Sequence, residues 1–206
     1  GNFGDIYAGY VAKKMGLPIN KLIIATNEND ILKRVINKGI YRPSKTQHTI
    51  SPSMDIQVAS NFERLIFDIC LNDSNRTLKL MNELKDKGEF TLEKEELKRI
   101  KNIFSAGSLT EEETKLTIKS IYNTDKILID PHTAVGVGVA NKITVSGNLV
   151  VLATAHPAKF YEVVEKVTKL KPELPESLKN ILNKKEVYEK ISHNMKVIQN
   201  YILERI

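Results

Sequence analysis

The sequence predicts an α/β fold: part of an open, mainly parallel sheet with flanking helices, plus a helical insertion. Three observations carry this. Residues 1–39 run as helix, strand, helix; the apolar runs Leu22–Thr26 and Val150–Thr154 suit strands buried on both faces; and a Lys/Glu-rich helical stretch separates those runs.

The elements follow in order. Gly1–Asn2–Phe3–Gly4 is a glycine-bearing turn into a helix whose Ala8, Val11, Ala12 and Met15 fall at helical spacing. Gly16 stops that helix and Pro18 prevents its continuation. Leu22–Thr26 is the first strand. The next helix is capped by Asn29, buries Ile31, Leu32, Val35 and Ile36, and ends at Gly39. After a loop from Pro43 to Pro52, a longer helix spans Met54 to Leu71, with Cys70 on its apolar face beside Phe62, Leu65, Ile66 and Ile69. Residues 72–123 are a helical excursion: Leu78, Met81 and Leu84 form one stripe, Leu97, Ile100 and Phe104 another, and Thr110 with Glu113 makes a capping box. Strand character returns at Lys126–Ile129, followed by a helix over Ala134–Asn141 and the strand Val150–Thr154. The tail from Glu176 reads as helices, the last carrying Met195, Ile198, Tyr201, Ile202 and Arg205 along one side. The expected segments are therefore 1–71, 72–123, 124–170 and 171–206.

Composition narrows the function classes. A hydrophobic share of 41% over 206 residues can fill a core, so disorder is not expected. No apolar run approaches the roughly 20 residues that cross a bilayer, and no basic region with an apolar core opens the chain, so a cytoplasmic protein without membrane contact is expected. One cysteine makes no internal disulfide. The net charge of +6 invites nucleic acid, but Lys and Glu alternate on shared helix faces, as in Leu92–Arg99, and no zinc-ligand spacing or basic-aromatic stretch is present. No nucleic-acid partner and no metal are expected.

The chemistry-bearing stretch is Gly1–Asn2–Phe3–Gly4–Asp5. Glycines let the backbone approach a ligand closely, and the first-turn N–H groups of the following helix point at a bound phosphate. His132 and His156 flank prolines at strand-to-helix junctions, without the carboxylate or cysteine cluster a metal would need. Asn27, Asn29, Asp30, Ser53 and Asp55 lie at element ends expected near the ligand edge of the sheet, where the same residue types also serve as caps. Lys159, after Pro157, fits a helix start with a solvated ammonium.

Several blocks carry a resemblance. Gly1–Asp5 with Ala8–Gly9, Ala12–Lys13 and Gly16–Leu17–Pro18 is similar to the phosphate loop and helix of the microbial and fungal threonine synthases. The similarity continues through Ala25–Asp30, Ser51–Ile56, Asp130–Val135, Thr154–Phe160, Leu174–Leu178 and Ser192–Asn194, all in the family's order. The serine that usually precedes the loop in that family has no counterpart, and the chain reads as the C-terminal part of something longer. The resemblance implies the tryptophan-synthase-β type of pyridoxal-phosphate fold, with residues 1–71 and 124–170 belonging to its large domain. It implies conversion of O-phosphohomoserine and water to threonine and phosphate, with pyridoxal 5'-phosphate as electron sink. Gly1, Asn2, Phe3, Gly4 and Asp5 would hold the cofactor phosphate, and Thr154 would meet the pyridine nitrogen. The lysine that carries the cofactor lies in that family well before the phosphate loop, in a Lys-Asp step. No lysine here stands in that context, so the chain alone is expected to be inactive and to need the N-terminal half as partner. A remnant, a split-gene half and a non-catalytic phosphate-binding interaction module remain the alternatives. Related enzymes of the same fold that exchange β substituents are not excluded by the residues themselves.

Overall fold

A computed structural model describes residues 3–144 and 147–206. They form two compact units, one ending at Pro172 and the other comprising Glu173–Ile206. In the first, α1 (Gly4–Lys14), β1 (Leu22–Thr26), α2 (Ile31–Lys38) and β2 (Ile40–Tyr41) are followed by a 3-10 turn at Pro52–Met54. Then come α3 (Phe62–Ile69), α4 (Ser74–Lys87), β3 (Phe90–Thr91), α5 (Lys94–Ile103), β4 (Phe104–Ser108), α6 (Glu111–Asp125), α7 (Pro131–Ala140), a 3-10 turn at Pro157–Phe160 and α8 (Tyr161–Thr168). Strands β1 and β4 pair in parallel, Leu22 opposite Phe104 through Thr26 opposite Ser108; β2 and β3 pair antiparallel. This is the expected α/β class, helix-rich around a small parallel sheet.

The sheet is covered on both faces, which explains the apolar run of β1. Alternate strand residues point to opposite sides. Ser108 accepts a hydrogen bond from the Lys33 ammonium of α2 at 2.8 Å, so Phe104, Ala106 and Ser108 face α2. Gly107 faces α7 so closely that a Cβ there would lie 2.7 Å from Val139 Cγ1. The main core gathers Ile24, Val35, Leu65 and Ile100 with an aromatic group in which Tyr41 stacks between Phe62 and Phe90, centroids 5.5 and 4.9 Å away. Gly39 takes φ 76° as it ends α2, and the Thr110/Glu113 capping box opens α6, both as expected.

Several expectations are corrected. In α1 the inward face is Phe3, Ile6, Tyr7 and Tyr10, while Met15 is 84% exposed; the aromatic face buries more surface than the aliphatic one and wins. The helix expected over Met54–Leu71 is confined to Phe62–Ile69, because preceding backbone groups bond elsewhere: the Ala59 N–H donates to the Tyr41 hydroxyl at 2.8 Å. The middle stretch is not purely helical; it returns β4 to the sheet, and Phe104 begins that strand instead of continuing a helical stripe. On α4 the buried positions are Thr77 and Leu80, with Leu78 exposed. Lys126–Ile129 and Val150–Thr154 form no strand, no ladder partner being present for them among the described residues, and Val150 is 78% exposed.

In the second unit, single 3-10 turns at Glu176–Leu178 and Ile181–Asn183 precede α9 (Met195–Leu203), whose N-terminus is capped by the Asn194 side chain. The tail is thus less helical than its composition suggests, and residues 184–194 are irregular. No described helix is long and apolar enough to cross a membrane.

Candidate functional site

Parallel strands point their carboxyl ends at one edge of the sheet, where ligand loops gather. Here β1 and β4 end together, the Leu109 N–H donating to the Thr26 carbonyl at 3.0 Å. Residues 47–57 lie across this edge, bound to the turn after β1. Asp55 is the hub: Oδ1 accepts from Asn27 Nδ2 (2.8 Å), Asn29 Nδ2 (3.1 Å) and the Thr49 hydroxyl (2.7 Å), and Oδ2 from the Thr49 N–H (2.8 Å). Asn27 also donates to Ser51 Oγ at 3.0 Å, and Asn29 exchanges bonds with the Gln47 backbone at 2.8 and 2.9 Å. Asn27 and Asn29 are buried, so both amides find their partners inside the protein. Asn29 therefore does not cap α2. Asp30 holds the cap position without a capping bond, and its carboxylate is engaged by Arg34 Nε at 2.9 Å. Arg34 continues to Gln57 Oε1 at 3.0 Å, and the Ile50 N–H donates to Glu111 at 2.7 Å.

A second cluster starts at α7. Asp130 precedes Pro131, an arrangement that pre-sets a helix start. Its buried carboxylate caps the helix through the His132 N–H (2.9 Å) and the Thr133 N–H (3.3 Å), and also accepts from the Thr133 hydroxyl and from His132 Nδ1 at 2.8 Å. Burial pushes the Asp130 carboxyl upward, but bonds from His132 and Thr133 outweigh that and hold it below the usual aspartate range. His132 Nε2 accepts the Ser53 N–H at 3.1 Å, and its ring packs on Phe160, centroids 4.6 Å apart.

Phe3 takes the left-handed conformation (φ 64°) and its side chain is buried against Phe62, so the ring is a core group. Gly4 and Asp5 are exposed, and among the described residues no side chain caps α1, whose first-turn N–H groups have no intrahelical acceptor. Gly1 and Asn2 lie outside the described residues. Thr154 is exposed in an irregular segment and not at a strand end. His156 is exposed and its Nδ1 caps the 3-10 turn by accepting from the Ala158 N–H at 3.2 Å.

Of the side chains expected at the site, the fold brings Asn27, Asn29, Ser53, Asp55 and His132 to one edge, with Asp30 bordering it. Thr49, Ser51, Gln57 and Asp130 were not anticipated. Only Asp130 carried a local signal, an Asp before a helix-starting Pro. Among the described residues no group of three or more His, Cys, Asp or Glu could hold a metal ion.

The threonine synthase of Pseudomonas aeruginosa is 38% identical over 205 residues, which cover 98% of this chain and 44% of that protein. The threonine synthase of Saccharomyces cerevisiae is 40% identical over all of this chain and 45% of its own length. Along its whole length this chain is similar to threonine synthases. Residues 133–202 match the model described as "Threonine synthase, C-terminal". The crystal structure of the PLP-bound threonine synthase of Brucella melitensis superposes with a TM-score of 0.89 at 46% identity, covering 99% of this chain and 44% of that one. The chain thus spans less than half the length of the threonine synthases it matches.

Proposed function

We propose that this chain carries the cofactor-phosphate cradle and the substrate-side loop of a threonine synthase, converting O-phosphohomoserine and water to L-threonine and phosphate with pyridoxal 5'-phosphate, in the cytoplasm. One observation carries the reading: similarity to threonine synthases, one of them PLP-bound, along the whole of this chain. The structure fits a phosphorylated cofactor at α1, where an uncapped helix of 11 residues opens at an exposed glycine and offers free N–H donors at its positive end. Gly1, Asn2, Phe3, Gly4 and Asp5 would line that cradle through their backbone, and the Thr154 hydroxyl is assigned to the pyridine nitrogen. When bound, the cofactor supplies an electron sink for carbanions next to the amino group. The chain's own residues would grip the phosphate, order the 47–57 loop and keep the edge of the sheet in register.

The lysine that would carry the cofactor is assigned to a segment outside this chain, so the purified chain is expected to be inactive alone. The test adds O-phospho-L-homoserine and pyridoxal phosphate to this chain, alone and mixed with the separately produced N-terminal part of the Brucella melitensis enzyme, and measures phosphate and threonine. Release only in the mixture is expected. Release by the chain alone would overturn the lysine assignment. No release from a mixture whose two parts bind each other would overturn the functional reading.

A further inference from the structure

The Asp130–His132 pair holds a ring whose two nitrogens are both committed. The Asp130 carboxylate, with four donors around it, can only accept, so His132 Nδ1 carries the proton in their 2.8 Å contact. A backbone amide can only donate, so Nε2, facing the Ser53 N–H at 3.1 Å, carries none. The ring is 8% exposed and packs at a tilt against Phe160. One imidazole therefore joins three stretches remote in sequence: the Ser51–Asp55 turn, the start of α7, and the 3-10 turn that follows Thr154–Ala155–His156. Ser53 itself is exposed at the sheet edge; its N–H is tied from one side by His132, while Asp55, Asn27 and Thr49 tie the turn from the other.

We propose that His132 is a positioning residue, locked by Asp130 as the Nδ1–H tautomer, whose Nε2 fixes the Ser53 turn so that the Ser53 hydroxyl is presented to the substrate. That the turn serves a substrate rests on the functional reading above; the tautomer and the tether do not. The assignment displaces two other roles. A general acid or base needs a ring nitrogen free to exchange a proton with the reacting group, and a metal ligand needs a free lone pair; Nδ1 and Nε2 are both occupied. The same arrangement explains why a histidine stands here: phenylalanine would pack on Phe160 but accept nothing, whereas glutamine places an acceptor near the position of Nε2.

The experiment uses the 15N-labelled 206-residue chain. Long-range nitrogen–proton correlation of the imidazoles at neutral pH should show His132 protonated at Nδ1 and bare at Nε2; an Nε2–H tautomer, or protons on both nitrogens, would overturn the proposal. Amide exchange supplies the second readout. In His132→Phe the Ser53 N–H should exchange at least about tenfold faster while Ile24 in the sheet keeps its protection, and His132→Gln should restore Ser53 to within about threefold of the parent. Ser53 exchange that stays slow in His132→Phe, or speeds equally in His132→Gln, overturns the tether. Should His132→Phe not fold, the tautomer of the parent chain and the glutamine variant still decide. Both readouts are independent of turnover, so failure of the mixing assay would not be mistaken for failure of this proposal.

Discussion

Replacing Asp55 with alanine removes the hub that binds the 47–57 loop to the end of β1. The cost can be worked from the four donors it serves. Asn27 Nδ2 keeps Thr49 Oγ1 at 2.8 Å and Ser51 Oγ at 3.0 Å, and Asn29 Nδ2 keeps the Gln47 carbonyl at 2.9 Å, so neither buried amide is stranded. The Thr49 hydroxyl can turn to Ser51 Oγ, 3.2 Å away. The Thr49 N–H loses its acceptor outright. One orphaned amide costs about 1–3 kcal/mol, and losing charge-assisted bonds to the remaining donors adds about 1 kcal/mol, for a total of about 2–4 kcal/mol. Asp55→Asn keeps the Oδ1 contacts but turns an NH2 toward the Thr49 N–H, which should cost about 1–2 kcal/mol. Urea unfolding followed by circular dichroism measures both, with an unchanged m-value showing that stability alone has moved. An Asp55→Ala variant within about 0.5 kcal/mol of the parent, or an Asp55→Asn variant less stable than the alanine one, would refute the assignment of Asp55 as the hub.

Three further outcomes are expected. Arg76 grips the buried Glu96 with two bonds of 2.7 and 2.9 Å, so Arg76→Met should destabilise by about 3–5 kcal/mol in urea unfolding at pH 7, leaving a buried charge unpaired. That bond is also the main reason the Glu96 carboxyl sits below its usual range; its contribution is present above the unfolded glutamate pKa, roughly 4.3, and lost as pH falls through the lower folded value, so the acid slope should flatten in Arg76→Met. Cys70 is buried beside Glu96, and burial first, then that carboxylate, pushes its thiol up to about 11; iodoacetamide at pH 8 should modify it at least about a hundredfold more slowly than a free thiol, and rapid labelling of the folded chain would contradict this environment. Gly107→Ala forces a methyl against the stiff, buried Val139 and should cost about 1–3 kcal/mol by thermal or urea unfolding; a neutral variant would show that α7 can withdraw without loss.

How much of this was legible beforehand depends on where each element gets its identity. Strand β1 was readable because burial on both faces makes its residues apolar throughout, and α2 because one inward face and one terminal glycine suffice. Strand β4, Phe–Ser–Ala–Gly–Ser, was not, because its small residues answer to the close approach of α7, a contact no local pattern contains. The reverse error came at Val150–Thr154, where composition favours a strand but a strand exists only with a neighbour to complete its ladder. The same distinction applies to the site. Asn27, Asn29 and Asp55 were readable as polar residues at the right edge, yet a side chain that can cap, brace or bind looks alike in sequence, and only the distances show that these three bond one another and Thr49, Ser51 and Gln47. Residues so bonded hold the geometry of the loop. Among the described residues, the exposed Ser53 turn, tethered by His132, and the first turn of α1 keep bonding capacity to spare. Substitutions in the network should therefore act through the stability and placement of the loop, whereas Ser53→Ala should leave the fold untouched and weaken only what the loop contacts.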